Sequence, residues 1–113
     1  MTTNSTNQVV GILNTSIITA DGNYTLTTIS TEEAQYIARN NQILSAVGHE
    51  ATAQVLTTIL GMDVPVNRIM YAQEVGQQAI VLKINGRIPE GKILSLEDIE
   101  QIGYTLKLMV RNG

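Results

Sequence analysis

The sequence predicts an α/β domain, a single mixed β-sheet of about five strands with helices packed on it, and three observations carry that prediction. Short apolar runs of strand length alternate with stretches of helical spacing along the 113 residues. Turn and cap signals stand at almost every junction between them. The apolar fraction of 43% supports one packed core in a chain of this length, and no repeat, low-complexity tract or composition break divides it. Residues 1–113 therefore read as one domain.

The elements follow in order. Residues 1–7 are small and polar and predict a loose terminus. Val9-Val10-Gly11-Ile12-Leu13 is a short buried strand ending at Asn14. Asp21-Gly22-Asn23 is a turn, after which residues 24–29 alternate as a half-buried strand. Ser30 and Glu33 fit a capping box, with hydroxyl and carboxylate each satisfying a free amide, and open a helix to about Arg39. Ala34, Ile37 and Ala38 share one face of it, and Asn40-Asn41 breaks it.

Residues 43–47 form the next buried strand, and Gly48-His49 leads directly into a helix over 50–60. There Val55, Leu56, Ile59 and Leu60 fall at helical spacing, and Gly61 stands where a left-handed C-terminal cap is wanted. Asp63-Val64-Pro65 leads out to a further strand over 66–72, then a turn at Gly76. Residues 79–84 are the most apolar strand; residues 85–91 are a loop carrying Gly86, Pro89 and Gly91. Ser95 with Asp98 repeats the capping box and opens a short helix to about Ile102. Gly103 ends it, and residues 104–110 close the chain as a strand with Tyr104, Leu106, Leu108 and Val110 opposed to Thr105, Lys107 and Met109.

Composition narrows the function. The net charge of −3, from seven basic and ten acidic side chains, argues against a general duplex-binding surface. The charge is unevenly spread: residues 1–67 hold one cation, Arg39, whereas residues 68–113 hold six, so a small anionic ligand has a local positive site available. The absence of Cys excludes thiolate metal sites, disulfides and a thiol nucleophile, and suits a cytoplasmic setting. Trp and Phe are absent too, which removes the usual stacking platforms for single strands. No apolar stretch predicts a membrane span or a signal peptide.

Few residues are equipped for chemistry. His49 is the only histidine and so the natural acid–base group near neutrality. Its place after an apolar strand and before a helix is the strand's carboxyl end, where open α/β sheets present ligand sites; its plainer role is a helix cap or a surface side chain. Arg87 lies in the loop Gly86-Arg87-Ile88-Pro89-Glu90-Gly91, where a guanidinium can grip phosphate in bidentate fashion or simply pair with Glu90 in solvent. Arg68 has the same two options. No second His and no spaced carboxylates support a metal, and no dinucleotide, P-loop or nucleophile-elbow pattern is present, so neither metal nor cofactor is predicted.

The spacing of these residues goes further. Leu44-Ser-Ala-Val-Gly48-His49-Glu-Ala-Thr52, then Asn67-Arg68, then Arg87-Ile-Pro-Glu90, resembles the viral and mobile-element ring nuclease family, the type III anti-CRISPR proteins that destroy cyclic tetra-adenylate. That family has Gly-His before a helix with Ser or Thr three residues on, Asn-Arg nineteen residues after the His, and Arg-x-x-Glu beginning thirty-eight after it; Thr52, Arg68 and Arg87 stand at those places. Leu13-Asn14 also matches a family feature near the first strand.

The resemblance implies a homodimer that holds a cyclic oligonucleotide across its two-fold axis, so that each subunit offers the same groups to equivalent phosphates. It implies cleavage without metal, in which a ribose 2′-hydroxyl attacks the adjacent phosphorus and His49 protonates the departing 5′-oxygen. Arg68 and Arg87 would hold the phosphates, and Glu90 would orient His49 or an arginine. Asn14, Ser16, Gly48 and Thr52 would supply further substrate contacts, and residues 84–95 a lid. Host-cell cytoplasm would be the location. Two alternatives stand beside this one. One is a sponge that sequesters a cyclic nucleotide or cyclic ADP-ribose-type signal without turnover. The other is a mobile-element protein that keeps the fold without the activity.

Overall fold

The computed structural model describes residues 9–14, 21–88 and 94–113. The expected loose terminus at 1–7, Ser16, Glu90 and part of the 84–95 loop lie outside the described residues. Five strands and three helices follow one another as β1 (Val9–Leu13), β2 (Tyr24–Ile29), α1 (Thr31–Arg39), β3 (Gln42–Ser45), α2 (Glu50–Leu60), β4 (Gln78–Ile84), α3 (Leu96–Ile102) and β5 (Tyr104–Arg111). The strands make one mixed sheet in the order β2-β5-β4-β1-β3. β1 runs parallel to both β3 and β4, while β5 is antiparallel to both β4 and β2. The carboxyl ends of β1, β3 and β4 consequently emerge at the same edge, and this sets up the site.

Alternation along the strands divides the side chains between two faces. Val10, Ile12, Ile80, Leu82 and Leu106 pack beneath the helices, against Ala34 and Ala38 of α1, Leu56 and Ile59 of α2 and Ile99 of α3. The small alanines of α1 allow it to lie close to its neighbours. The helix ends are made as their sequences direct. At α3 both halves of the capping box form, Ser95 Oγ accepting from Asp98 N–H at 3.1 Å and Asp98 Oδ2 from Ser95 N–H at 3.2 Å. At α1 only the hydroxyl half forms, Ser30 Oγ accepting from Glu33 N–H at 3.0 Å. Gly61 closes α2 at φ 71°, a left-handed conformation that side chains with a Cβ resist.

The opposite face holds a smaller cluster of Leu13, Ala46, Tyr71, Ala79, Val81 and Met109. What covers it is the segment expected to be a strand at 66–72, and here the structure corrects the sequence. Residues 66–72 join no ladder. They form an extended strap that crosses the sheet from β3 to β5. Its start is held by side chains rather than by paired backbone: Ser45 Oγ donates to Pro65 O at 2.6 Å, and Asn67 Nδ2 to Ser45 O at 2.8 Å. One backbone bond supplements them, Asn67 N–H to Val47 O at 2.8 Å. Midway, the ring of Tyr71 occupies the space left by the missing side chain of Gly11, where a Cβ would stand only 2.5 Å from the phenol oxygen. At the far end Gln73 Nε2 donates to Met109 O at 2.9 Å, and Arg111 Nη1 donates to Gln73 O at 2.7 Å.

The strap copies the period of a strand because it too is extended: Tyr71 and Gln73 are buried while Arg68, Met70 and Ala72 are exposed. It crosses the strands instead of running along one, so no ladder can form. Two smaller differences have the same origin. β2 is an edge strand exposed on both faces, with Ile29 alone buried, where half-burial was expected. Met109, grouped by alternation with Thr105 and Lys107, is buried because the strap lies over it.

Candidate functional site

Where the strands of the parallel half end, the chain brings four of the expected residues to one cleft of about 540 Å³. Asn14 follows the last residue of β1. Beyond β3 the chain stays beside β1 for one more residue, with Ala46 N–H bonded to Ile12 O at 2.9 Å, and then delivers Gly48 and His49. Arg68 comes from the strap. Ile69, Met70 and Tyr71 complete the wall with Ala46. The volume lies within the range of about 300–1,000 Å³ common to small-ligand clefts.

His49 is the N-cap residue of α2 by backbone geometry, with φ −126° and ψ 134°, and its carbonyl accepts from Ala53 N–H at 3.0 Å. Its imidazole makes no capping bond. The side chain is exposed and, among the described residues, engaged by no hydrogen bond, so it is not a side-chain cap and stands at the surface of the cleft. An imidazole at this point sits by the first free amides of a helix, a place that favours anions.

Among the described residues Arg68 makes one hydrogen bond, Nε donating to Gly48 O at 2.8 Å. That bond uses one of five guanidinium N–H groups and leaves the terminal nitrogens facing solvent for a bidentate acceptor. Gly48 itself is not demanded by the protein's packing: the nearest atom a Cβ would meet there is Arg68 Cγ at 3.5 Å, an ordinary contact. Among the described residues no carboxylate lines the cleft. Tyr71 stays a neutral phenol in the floor, its pKa pushed up to about 12 chiefly by burial, with Tyr24 and Glu74 adding to the rise.

The other expected residues stand apart to different degrees. Thr52 is half-buried in the first turn of α2, one turn past His49. Arg87 is exposed in the bend that follows β4 at the same edge of the sheet, and is not among the side chains lining this cleft. Ser16 and Glu90 fall outside the described residues. Ile69, Met70 and Tyr71 were missed as wall residues, because the segment holding them reads as a strand. Their signal was adjacency to Asn67-Arg68, and an exposed Met70 beside an arginine is out of place in a core strand. Among the described residues no three His, Asp or Glu side chains lie close enough to share a metal ion, and no helix is long and apolar enough to cross a membrane.

Comparison with known proteins finds relatives in archaeal viruses and in a bacterium. It is 40% identical over 81 residues to "Uncharacterized protein 26" of Sulfolobus islandicus filamentous virus, covering 71% of this chain and 69% of that protein. It is 38% identical over 86 residues to ORF117 of Acidianus two-tailed virus, covering 74% of each. YddF of Bacillus subtilis is 29% identical over 104 residues, 90% of this chain and 96% of that one. The solved structure of B116 from Sulfolobus turreted icosahedral virus (STIV) superposes with a TM-score of 0.77 over 92% of this chain and 99% of that one, at 19% identity, which establishes the shared fold. Residues 10–106 match the STIV B116-like family, and the chain belongs to that family, which includes proteins of archaeal viruses.

Proposed function

We propose that this protein is a metal-independent ring nuclease that binds cyclic tetra-adenylate and converts it to linear di-adenylate ending in a 2′,3′-cyclic phosphate, thereby shutting off type III CRISPR signalling. The observation that carries the reading is the convergence of Asn14, Gly48, His49 and Arg68 in one cleft at the carboxyl edge of the sheet. The spacing of His49, Asn67-Arg68 and Arg87-x-x-Glu90 supports it independently, as does a family membership shared with archaeal viruses, for which disarming a host alarm is an advantage.

The chemistry asks little of the protein beyond placement. The nucleophile is already in the substrate: the 2′-oxygen attacks the neighbouring phosphorus, its proton passes to water, and the bond from phosphorus to the 5′-oxygen breaks. His49, as imidazolium, donates a proton to that oxygen as it leaves, a role worth about 10²–10⁴-fold. The free terminal nitrogens of Arg68 bind the non-bridging oxygens and oppose the charge that builds on them. Ile69 and Met70 offer apolar surface to a base in a chain without Trp or Phe. A cleft of this size takes part of a four-nucleotide ring, and two copies related by a two-fold axis would enclose the whole. The functional unit is accordingly a homodimer.

Incubating the purified protein with cyclic tetra-adenylate in EDTA and resolving products by chromatography tests the reading. Linear di-adenylate should accumulate, and His49→Ala should slow its appearance by about 10²–10⁴-fold while still binding the ring. An intact ring recovered after tight binding would identify a sponge instead. Cleavage by His49→Ala at the parental rate would remove His49 from the chemistry.

A further inference from the structure

The strap covers only part of its face of the sheet. Beyond it lies a second cleft, of about 500 Å³, lined by Asn14, Leu26, Val81, Lys83, Ile84 and Lys107, with Leu82 beneath. The strand registers put its polar groups on the strap side. Val81 pairs with Lys107, Lys83 with Thr105, and Thr28 with Lys107, so Lys83 and Lys107 are diagonal neighbours on one face. Lys107 Nζ donates to Thr28 Oγ1 at 3.2 Å, a neutral partner, and among the described residues no carboxylate lines the cleft.

Two like charges at diagonal positions on one face of a sheet add nothing to its stability. The second cleft also shares Asn14 with the first. Together the two clefts collect Arg68, Lys83 and Lys107, three of the seven Lys and Arg of a chain whose net charge is −3, and among the described residues neither is lined by a carboxylate. Leu26, 46% exposed, and Val81 give this basic floor an apolar component suited to a ribose or base edge.

We propose that Lys83 and Lys107 form a phosphodiester subsite that holds a second phosphate of the nucleotide whose first phosphate lies at Arg68 and His49. The inference rests on the nucleotide-binding reading above and sharpens it: the ligand class is an oligonucleotide with at least two phosphates, not a mononucleotide. Asn14, common to both clefts, marks where the ligand crosses from one to the other.

Binding of cyclic tetra-adenylate and of adenosine monophosphate, measured by calorimetry at several salt concentrations in the His49→Ala background, tests this. Lys83→Gln/Lys107→Gln should weaken the oligonucleotide at least about tenfold and flatten its log Kd against log salt by about 0.7 for each phosphate that the lysines no longer neutralise. Adenosine monophosphate should bind as before, and Lys83→Arg/Lys107→Arg should restore the salt slope. Unchanged affinity and slope in the double glutamine variant would overturn the subsite alone. Failure of the lysine-bearing parent to bind either nucleotide would overturn the underlying reading together with it.

Discussion

Gly11→Ala tests whether the strap is seated as described. The added Cβ would stand 2.5 Å from Tyr71 Oη, 2.7 Å from Cζ and 2.8 Å from Cε1, all well inside contact distance. Gly11 lies inside β1, paired with Leu44 on one side and Ala79 on the other, so the backbone cannot retreat and the ring must leave. Tyr71 is 2% exposed, and unseating it forfeits about 1.5–3 kcal/mol of burial. Alanine recovers about 0.5–1 kcal/mol through its better strand propensity. The net loss is about 2 kcal/mol, or a fall in Tm of about 8 °C for a domain of this size, readable by calorimetry. In a Tyr71→Ala background the same substitution should be neutral or mildly stabilising, because nothing then occupies the space. Because Arg68 rides on the strap, Gly11→Ala should also weaken nucleotide binding. An unchanged Tm for Gly11→Ala alone would refute the packing of Tyr71 on β1.

Other outcomes follow from single contacts. The pKa of Tyr71 is raised, so the folded state holds the phenol proton more tightly than the unfolded chain; its stabilising contribution is complete below pH 10 and is lost as pH rises toward 12. Alkaline melts should therefore lose about 2–3 kcal/mol more in the parent than in Tyr71→Phe over that window. Gly48→Ala should leave stability in denaturant melts within about 0.5 kcal/mol of the parent, since a Cβ fits there, yet reduce nucleotide affinity if a phosphate approaches that backbone, as titration calorimetry would show. Gly61→Ala, at φ 71°, should cost about 1 kcal/mol in denaturant melts by straining the C-terminal cap of α2.

The fold was legible wherever local signals agreed with one another. The caps at Ser30 and Ser95, the glycine after Leu60 and the apolar runs of β1 and β4 each pointed to the element that forms. His49 at the junction of β3 and α2 was legible for the same reason, being bracketed by two strong local patterns. The strap was not, because periodicity reports that a segment is extended and has one buried side, and says nothing of what it lies beside. Tyr71 and Gln73 bury themselves against strands more than thirty residues away in sequence, at Gly11 and Met109. The diagonal placement of Lys83 and Lys107 across β4 and β5 was equally hidden, since only the register sets them on one face.

The strap divides its labour between two sets of positions. Asn67, Tyr71 and Gln73 moor it to the sheet, whereas Val66, Ile69, Met70 and Val75 look outward at 42–89% exposure. Changes to the outward set alter what the cleft meets without loosening its moorings. Substitutions along this crossing can thus change the chemistry of one wall of the cleft while the foundation beneath it stays fixed.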